Sequence, residues 1–86
     1  MIRKELIPQG QEPFQSRSAA LLVQEACKYA SRILIEQGSK TVNVKSMMGV
    51  LSLGVPSGEK LILLIEGEDE RKAADALTPL ISQMFA

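Results

Sequence analysis

Val42-Asn43-Val44-Lys45-Ser46-Met47-Met48-Gly49-Val50-Leu51-Ser52-Leu53-Gly54 is the stretch on which the fold turns. Val42 and Val44 alternate with polar neighbours, the two-residue period of a strand with one buried side. Ser46 then offers a hydroxyl where a helix must begin, because a serine side chain accepts a hydrogen bond from a free amide of the first turn. Met47 to Leu53 reads as a short helix, ended by Gly54 and the turn Pro56-Ser57-Gly58. Working outward, Arg32 to Glu36 is rich in branched aliphatics, and Gly38 turns the chain so that Lys40 to Val44 returns beside it as a hairpin. Lys60 to Glu66 is the strongest strand signal. Gly67-Glu68-Asp69-Glu70 follows, placing carboxylates at the start of a last helix, Arg71 to about Met84, where they complement the helix dipole. Toward the N-terminus, Ile2 to Ile7 is a strand and Pro8-Gln9-Gly10-Gln11-Glu12-Pro13 a loop. Ser16 caps a helix to about Tyr29, with Ala19, Leu22, Val23, Ala26 and Ala30 as its inward stripe. The expected order is βαββαβα, in a single domain over residues 1–86.

Composition narrows the function. A chain of 86 residues buries one core, and 45% hydrophobic residues suit a globular α+β fold. Ten basic and ten acidic side chains cancel, so the chain lacks the basic footprint that direct nucleic-acid binding needs. With no tryptophan, one tyrosine and two phenylalanines, it also lacks platforms for stacking bases. Cys27 stands alone and has no disulfide partner in the chain; set in the first helix with no histidine beside it, it reads as a small core or boundary residue. No N-terminal stretch resembles a secretion signal, and the longest apolar run, Leu61 to Ile65, is far too short to cross a bilayer. A cytoplasmic protein without membrane insertion is expected. There is no histidine, which excludes imidazole metal ligation, imidazole base catalysis and phosphohistidine chemistry. Glu66, Glu68, Asp69, Glu70 and Asp75 match no calcium-loop spacing and read as a solvated helix start. No metal or cofactor is expected.

The order of elements, the helix-opening Arg17 followed by Ala19-Ala20, the run Lys45-Ser46-Met47-Met48-Gly49 with Ser52-Leu53-Gly54, and Gly67-Glu68-Asp69-Glu70 together resemble the HPr phosphocarrier proteins of the bacterial sugar phosphotransferase system. The resemblance covers essentially the whole chain. It implies an open-faced β-sandwich, with a four-stranded antiparallel sheet in the order 1-4-2-3 and three helices on one face. In that family a histidine just before the first helix relays phosphoryl groups from phosphoenolpyruvate. Gln15 stands at that position here, and an amide is not nucleophilic enough to carry such a group. Glutamine there is similar to the catabolite-repression HPr homologues. Pro13 and Ser18 also depart from the family's usual glycine and proline.

On spacing alone Ser46 is an N-cap worth about 1 kcal/mol. The resemblance implies more: an HPr kinase/phosphorylase phosphorylates Ser46, and the modified protein then binds a LacI-type transcriptional regulator in carbon catabolite repression. The protein is then a phosphorylated regulatory protein, not an enzyme. The partner-binding surface implied is Gln15, Arg17, Ala20, Val23, Gln24, Lys45, Met47, Met48 and Leu51, with Val50 and Leu53 turned inward. Two alternatives stand beside this one. The first is a phosphocarrier in name that has lost its histidine, and the second a small oligomerisation or ligand-binding module on the same scaffold.

Leu61-Ile62-Leu63-Leu64-Ile65 is apolar on both sides of a strand, although the outer side of an open-faced sandwich meets water. If Leu61, Leu63 and Ile65 face the core, then Ile62 and Leu64 face out, joined by Leu34 and Ile7. These four residues are the expected face of a homodimer, formed by sheet stacking or by exchange of the N-terminal strand.

Overall fold

The computed structural model describes the backbone of residues 1–6, 16–53 and 60–84, and the side chains of 1–6, 19–53 and 60–82. Four strands, β1 (Ile2–Leu6), β2 (Arg32–Gln37), β3 (Lys40–Asn43) and β4 (Leu61–Glu66), form one antiparallel sheet in the order β1-β4-β2-β3. Three helices accompany it: α1 (Ser16–Ala26), α2 (Met47–Leu51) and α3 (Glu70–Met84). Alternation along the strands decides which face they cover. Ile33, Ile35, Val42, Leu61, Leu63 and Ile65 are buried, while Leu34, Thr41, Ile62 and Leu64 between them are not. Ala19, Leu22 and Ala26 of α1 and Ala73, Ala74, Leu77 and Ile81 of α3 close the core over the first set. Their three- and four-residue spacing keeps one stripe of each helix on the sheet.

The hairpin between β2 and β3 has a two-residue loop, since Gln37 pairs with Lys40. Gly38 takes φ +60° at its first position, a conformation that suits strand twist and that a side chain disfavours. Pro79 lies inside α3. The helix runs on through it, forgoing one bond to the carbonyl of the exposed Asp75.

Three expectations are corrected at the end of α1. The helix stops at Ala26 instead of Tyr29; Cys27 is exposed, neither core nor boundary; and Ala30 is exposed instead of completing the inward stripe. The last amides tighten, with Lys28 N bonded to Glu25 O and Tyr29 N to Ala26 O. The next two amides are claimed by a residue far along the chain: Ala30 N donates to Asp69 Oδ2 at 2.8 Å and Ser31 N to Asp69 Oδ1 at 2.9 Å. The Ser31 hydroxyl donates to the same carboxylate. Asp69 is therefore more than a solvated helix-start carboxylate: it is a tether that fixes where α1 ends and β2 begins. Beside it, Glu70 Oε1 accepts from Gly67 N at 3.2 Å and Glu70 Oε2 meets the Met1 ammonium at 3.0 Å.

These contacts give the stability an acid limb. The Ser31 hydroxyl, followed by the Ala30 amide, holds the Asp69 carboxyl below its ordinary 3.8. The N-terminal ammonium and the Gly67 amide hold Glu70 below 4.5. A carboxyl depressed in the folded state stabilises the fold above its unfolded value, and that contribution is lost as the pH falls through the folded value. The melting temperature is expected to be level from about pH 7 to 5 and to fall below about pH 4. Asp69→Asn should flatten part of that acid limb while lowering the plateau; an acid limb identical to wild type would show that Asp69 is not its source.

Candidate functional site

The site is built where β3 runs into α2. Ser46 has extended backbone angles, φ −106° and ψ 119°, and its Oγ accepts from Gly49 N at 3.2 Å. That is an N-cap, half-buried at the mouth of the helix. Ser46→Ala is expected to cost about 1 kcal/mol of stability, read as a lowered urea midpoint with an unchanged slope. Beneath the cap, Val50 is fully buried and Leu53 nearly so. These two apolar anchors hold α2 on the core and turn its other side to water. Met48 is 83% exposed and Leu51 40%. Met47 is half-buried and packs partly against the core, so it is a shared residue more than a free one.

α1 packs beside α2, and it presents Ala20 and Gln24 exposed and Val23 half-buried. Arg17 belongs to the first turn of α1 by its backbone. Gln15, Pro13 and Ile7 lie outside the described residues, as do the side chains of Arg17 and Ser18. Lys45 is differently employed from what its neighbour Ser46 suggests. Its ammonium donates to Tyr29 O at 2.6 Å, and its amide to Asn43 Oδ1 at 2.9 Å. A cation on the carbonyls that follow a helix is favourable, so Lys45 ties the end of α1 to the start of α2. At the far end of α2, Lys40 Nζ donates to Ser52 O at 2.7 Å.

Sequence reasoning passed over two features of this surface. Leu21, 52% exposed on α1, lines a shallow depression with Gln24, Glu25, Lys28 and Leu80. It falls outside the Ala19–Leu22–Ala26 stripe, and that off-stripe position was the available signal. Lys40 gave no local signal, because its partner is twelve residues away. Among the described residues no cluster of three or more histidine, cysteine, aspartate or glutamate side chains is placed to hold a metal, and no helix is long and apolar enough to cross a membrane.

The arrangement offers a modifiable hydroxyl flanked by apolar side chains on a short, well-anchored helix. The free amides of a helix's first turn favour an anion placed there.

Comparison with known proteins agrees with this architecture. The family model described as the PTS HPr component phosphorylation site matches residues 4–83. The chain belongs to this PTS-HPr family, and within it is an HPr-like protein related to the catabolite-repression kind. It is 42% identical over 83 residues to the HPr-like protein Crh of Halalkalibacterium halodurans, covering 96% of this chain and 99% of that one. HPr from Thermoanaerobacter tengcongensis superposes with a TM-score of 0.85 at 41% identity, over 99% of this chain and 96% of that. The crystal structure of Crh from Bacillus subtilis, described as a swapped dimer, gives 0.77 at 35% identity, over 100% and 99%.

Proposed function

We propose that this protein is a regulatory HPr homologue that is phosphorylated on Ser46 by an HPr kinase/phosphorylase and then docks to a LacI-type transcriptional regulator in carbon catabolite repression. The observation that carries the reading is the half-buried Ser46 hydroxyl, capping α2 directly beside the exposed Met48 and Leu51. Phosphorylation adds about two negative charges and three acceptor oxygens at that point. The charge and the adjoining apolar side chains then form a composite surface, with Ala20, Val23 and Gln24 of α1 and the Arg17 position at its border. The protein acts as a substrate and a ligand in the cytoplasm, without catalysing a reaction itself.

Gln15 in place of a histidine, in a chain with no histidine at all, supports the loss of the phosphohistidine relay. Kinship with the Crh proteins supports the regulatory branch over a phosphocarrier role and over a bare binding module. Crh structures described as dimers support homodimerisation here. Two incubations test the reading. With ATP and an HPr kinase/phosphorylase, the intact mass should rise by one phosphate, and Ser46→Ala should abolish the gain. With phosphoenolpyruvate and the general phosphotransferase enzyme, no acid-labile label should form. Label in the second incubation, or no mass gain in the first, would overturn the assignment.

A further inference from the structure

α2 carries two thioethers in unlike surroundings. Met47 is half-buried and packs against the core, whereas Met48 is 83% exposed, more than any other large apolar side chain among the described residues. Leu51, one turn further along α2 and also exposed, is its neighbour on the helix surface, so the two side chains share the apolar ground beside the Ser46 cap. What holds α2 in place does not pass through the Met48 side chain. Val50 and Leu53 are the buried anchors, Ser46 Oγ accepts from Gly49 N at 3.2 Å, and the Met48 carbonyl accepts from Ser52 N at 3.0 Å. A change of polarity at the Met48 sulfur is therefore felt by whatever docks on α2 and not by the fold.

We propose that Met48 is a site of reversible oxidation to the sulfoxide, and that the oxidised side chain weakens the docking surface that Ser46 phosphorylation completes. The oxidant is a peroxide. A lone pair of the thioether sulfur attacks the outer peroxide oxygen, the S–O bond forms as the O–O bond breaks, and the departing oxygen takes up the proton of the transferred one and leaves as water or an alcohol. Sulfur gives up two electrons and the peroxide takes them; a dithiol reductase returns them, forming a disulfide and water. The product replaces a flexible apolar tip by a strong S–O dipole that needs hydrogen bonds, and covering it with an apolar partner surface leaves those bonds unmade. Leu51 supplies apolar area without this chemistry, and Met47 is partly shielded from it. Phosphorylation and oxidation then act on one surface in opposite senses, the first adding its anion and the second spoiling its apolar part. The inference rests on the docking reading above.

Hydrogen peroxide treatment of the full chain, followed by peptide fragmentation that separates the adjacent methionines, tests the site. Met48 should be largely converted while Met47 is still mostly thioether; Met47 reacting as fast as Met48 overturns the assignment. Calorimetric titration of a LacI-type regulator with the Ser46-phosphorylated protein tests the consequence. Oxidation should raise the dissociation constant about tenfold or more, move the melting temperature by less than about 2 °C, and be reversed by a methionine sulfoxide reductase with dithiothreitol. Met48→Leu, compared with itself before and after peroxide, should change by less than about twofold, although Met1 and Cys27 stay exposed in it. A loss as large in Met48→Leu as in wild type assigns the effect to other side chains and overturns the proposal, as does an oxidised protein that binds as well as the reduced one. Failure of the docking reading looks different. The reduced protein then binds the regulator no better after phosphorylation than before it, and the switch falls with that reading.

Discussion

Gly67→Ala is expected to destabilise the protein by about 3 kcal/mol or more, a large effect for the addition of a single methyl group. Two causes act together. Gly67 takes φ +154°, and a Cβ built there would lie 2.6 Å from Ser31 Oγ, 2.7 Å from Ser31 Cα and 3.0 Å from Ser31 Cβ. Ser31 cannot retreat, because it is 1% exposed and its amide and hydroxyl are both bonded to Asp69. Relieving the clash means moving backbone and breaking that tether. For a domain of this size the loss corresponds to a fall in melting temperature of roughly 15 °C. Gly38→Ala is the control. Its φ of +60° is also unfavourable to alanine, yet nothing lies within 4 Å of the added Cβ, so about 1 kcal/mol is expected. Equal losses at the two positions would show that backbone conformation matters and the close approach to Ser31 does not.

Met48→Asp is expected to weaken binding of the phosphorylated protein to its regulator by at least about a hundredfold, while leaving the fold and the phosphorylation of Ser46 intact. At 83% exposure Met48 contributes little to the core, so thermal stability should move by less than about 0.5 kcal/mol. Under the proposed function the same side chain is an apolar contact of the docking surface, where a carboxylate would be buried against the partner beside the Ser46 phosphate. Loss of an apolar anchor and introduction of like charge each cost a few kcal/mol in an interface. Met47→Asp is expected to behave differently. Met47 packs partly on the core, so its loss should lower stability as well as binding. Calorimetric titration together with a thermal melt separates the two variants.

Much of the fold is legible in the sequence because strands with one buried face print their alternation directly. Leu61, Leu63 and Ile65 are buried with Ile62 and Leu64 between them, and the same parity carries Ile33, Ile35 and Val42. The inward turn of Val50 and Leu53 follows from the need of so short a helix for an apolar anchor. What periodicity does not carry is contact between distant residues. The carboxylate of Asp69 takes the amides of Ala30 and Ser31 from 39 and 38 residues away where α1 gives way to β2, and Ala30 is exposed where helical spacing expects it covered, as is Cys27 where a small core or boundary residue is expected. Lys45 is named only as part of the implied partner-binding surface, and the hydrogen bond of its ammonium to the Tyr29 carbonyl, sixteen residues back, has no local signal. The close approach of Gly67 to Ser31 has no local signature beyond a glycine in a turn.

The regulatory reading rests on an anion at Ser46 completing a docking surface whose apolar part is already in place. It is tested most directly by titrating the LacI-type regulator with the protein before and after Ser46 phosphorylation, under one salt concentration. The phosphorylated form should bind at least about tenfold more tightly, a gain that shrinks as salt screens the charge and vanishes in Ser46→Ala. Equal affinity of the two forms would contradict it.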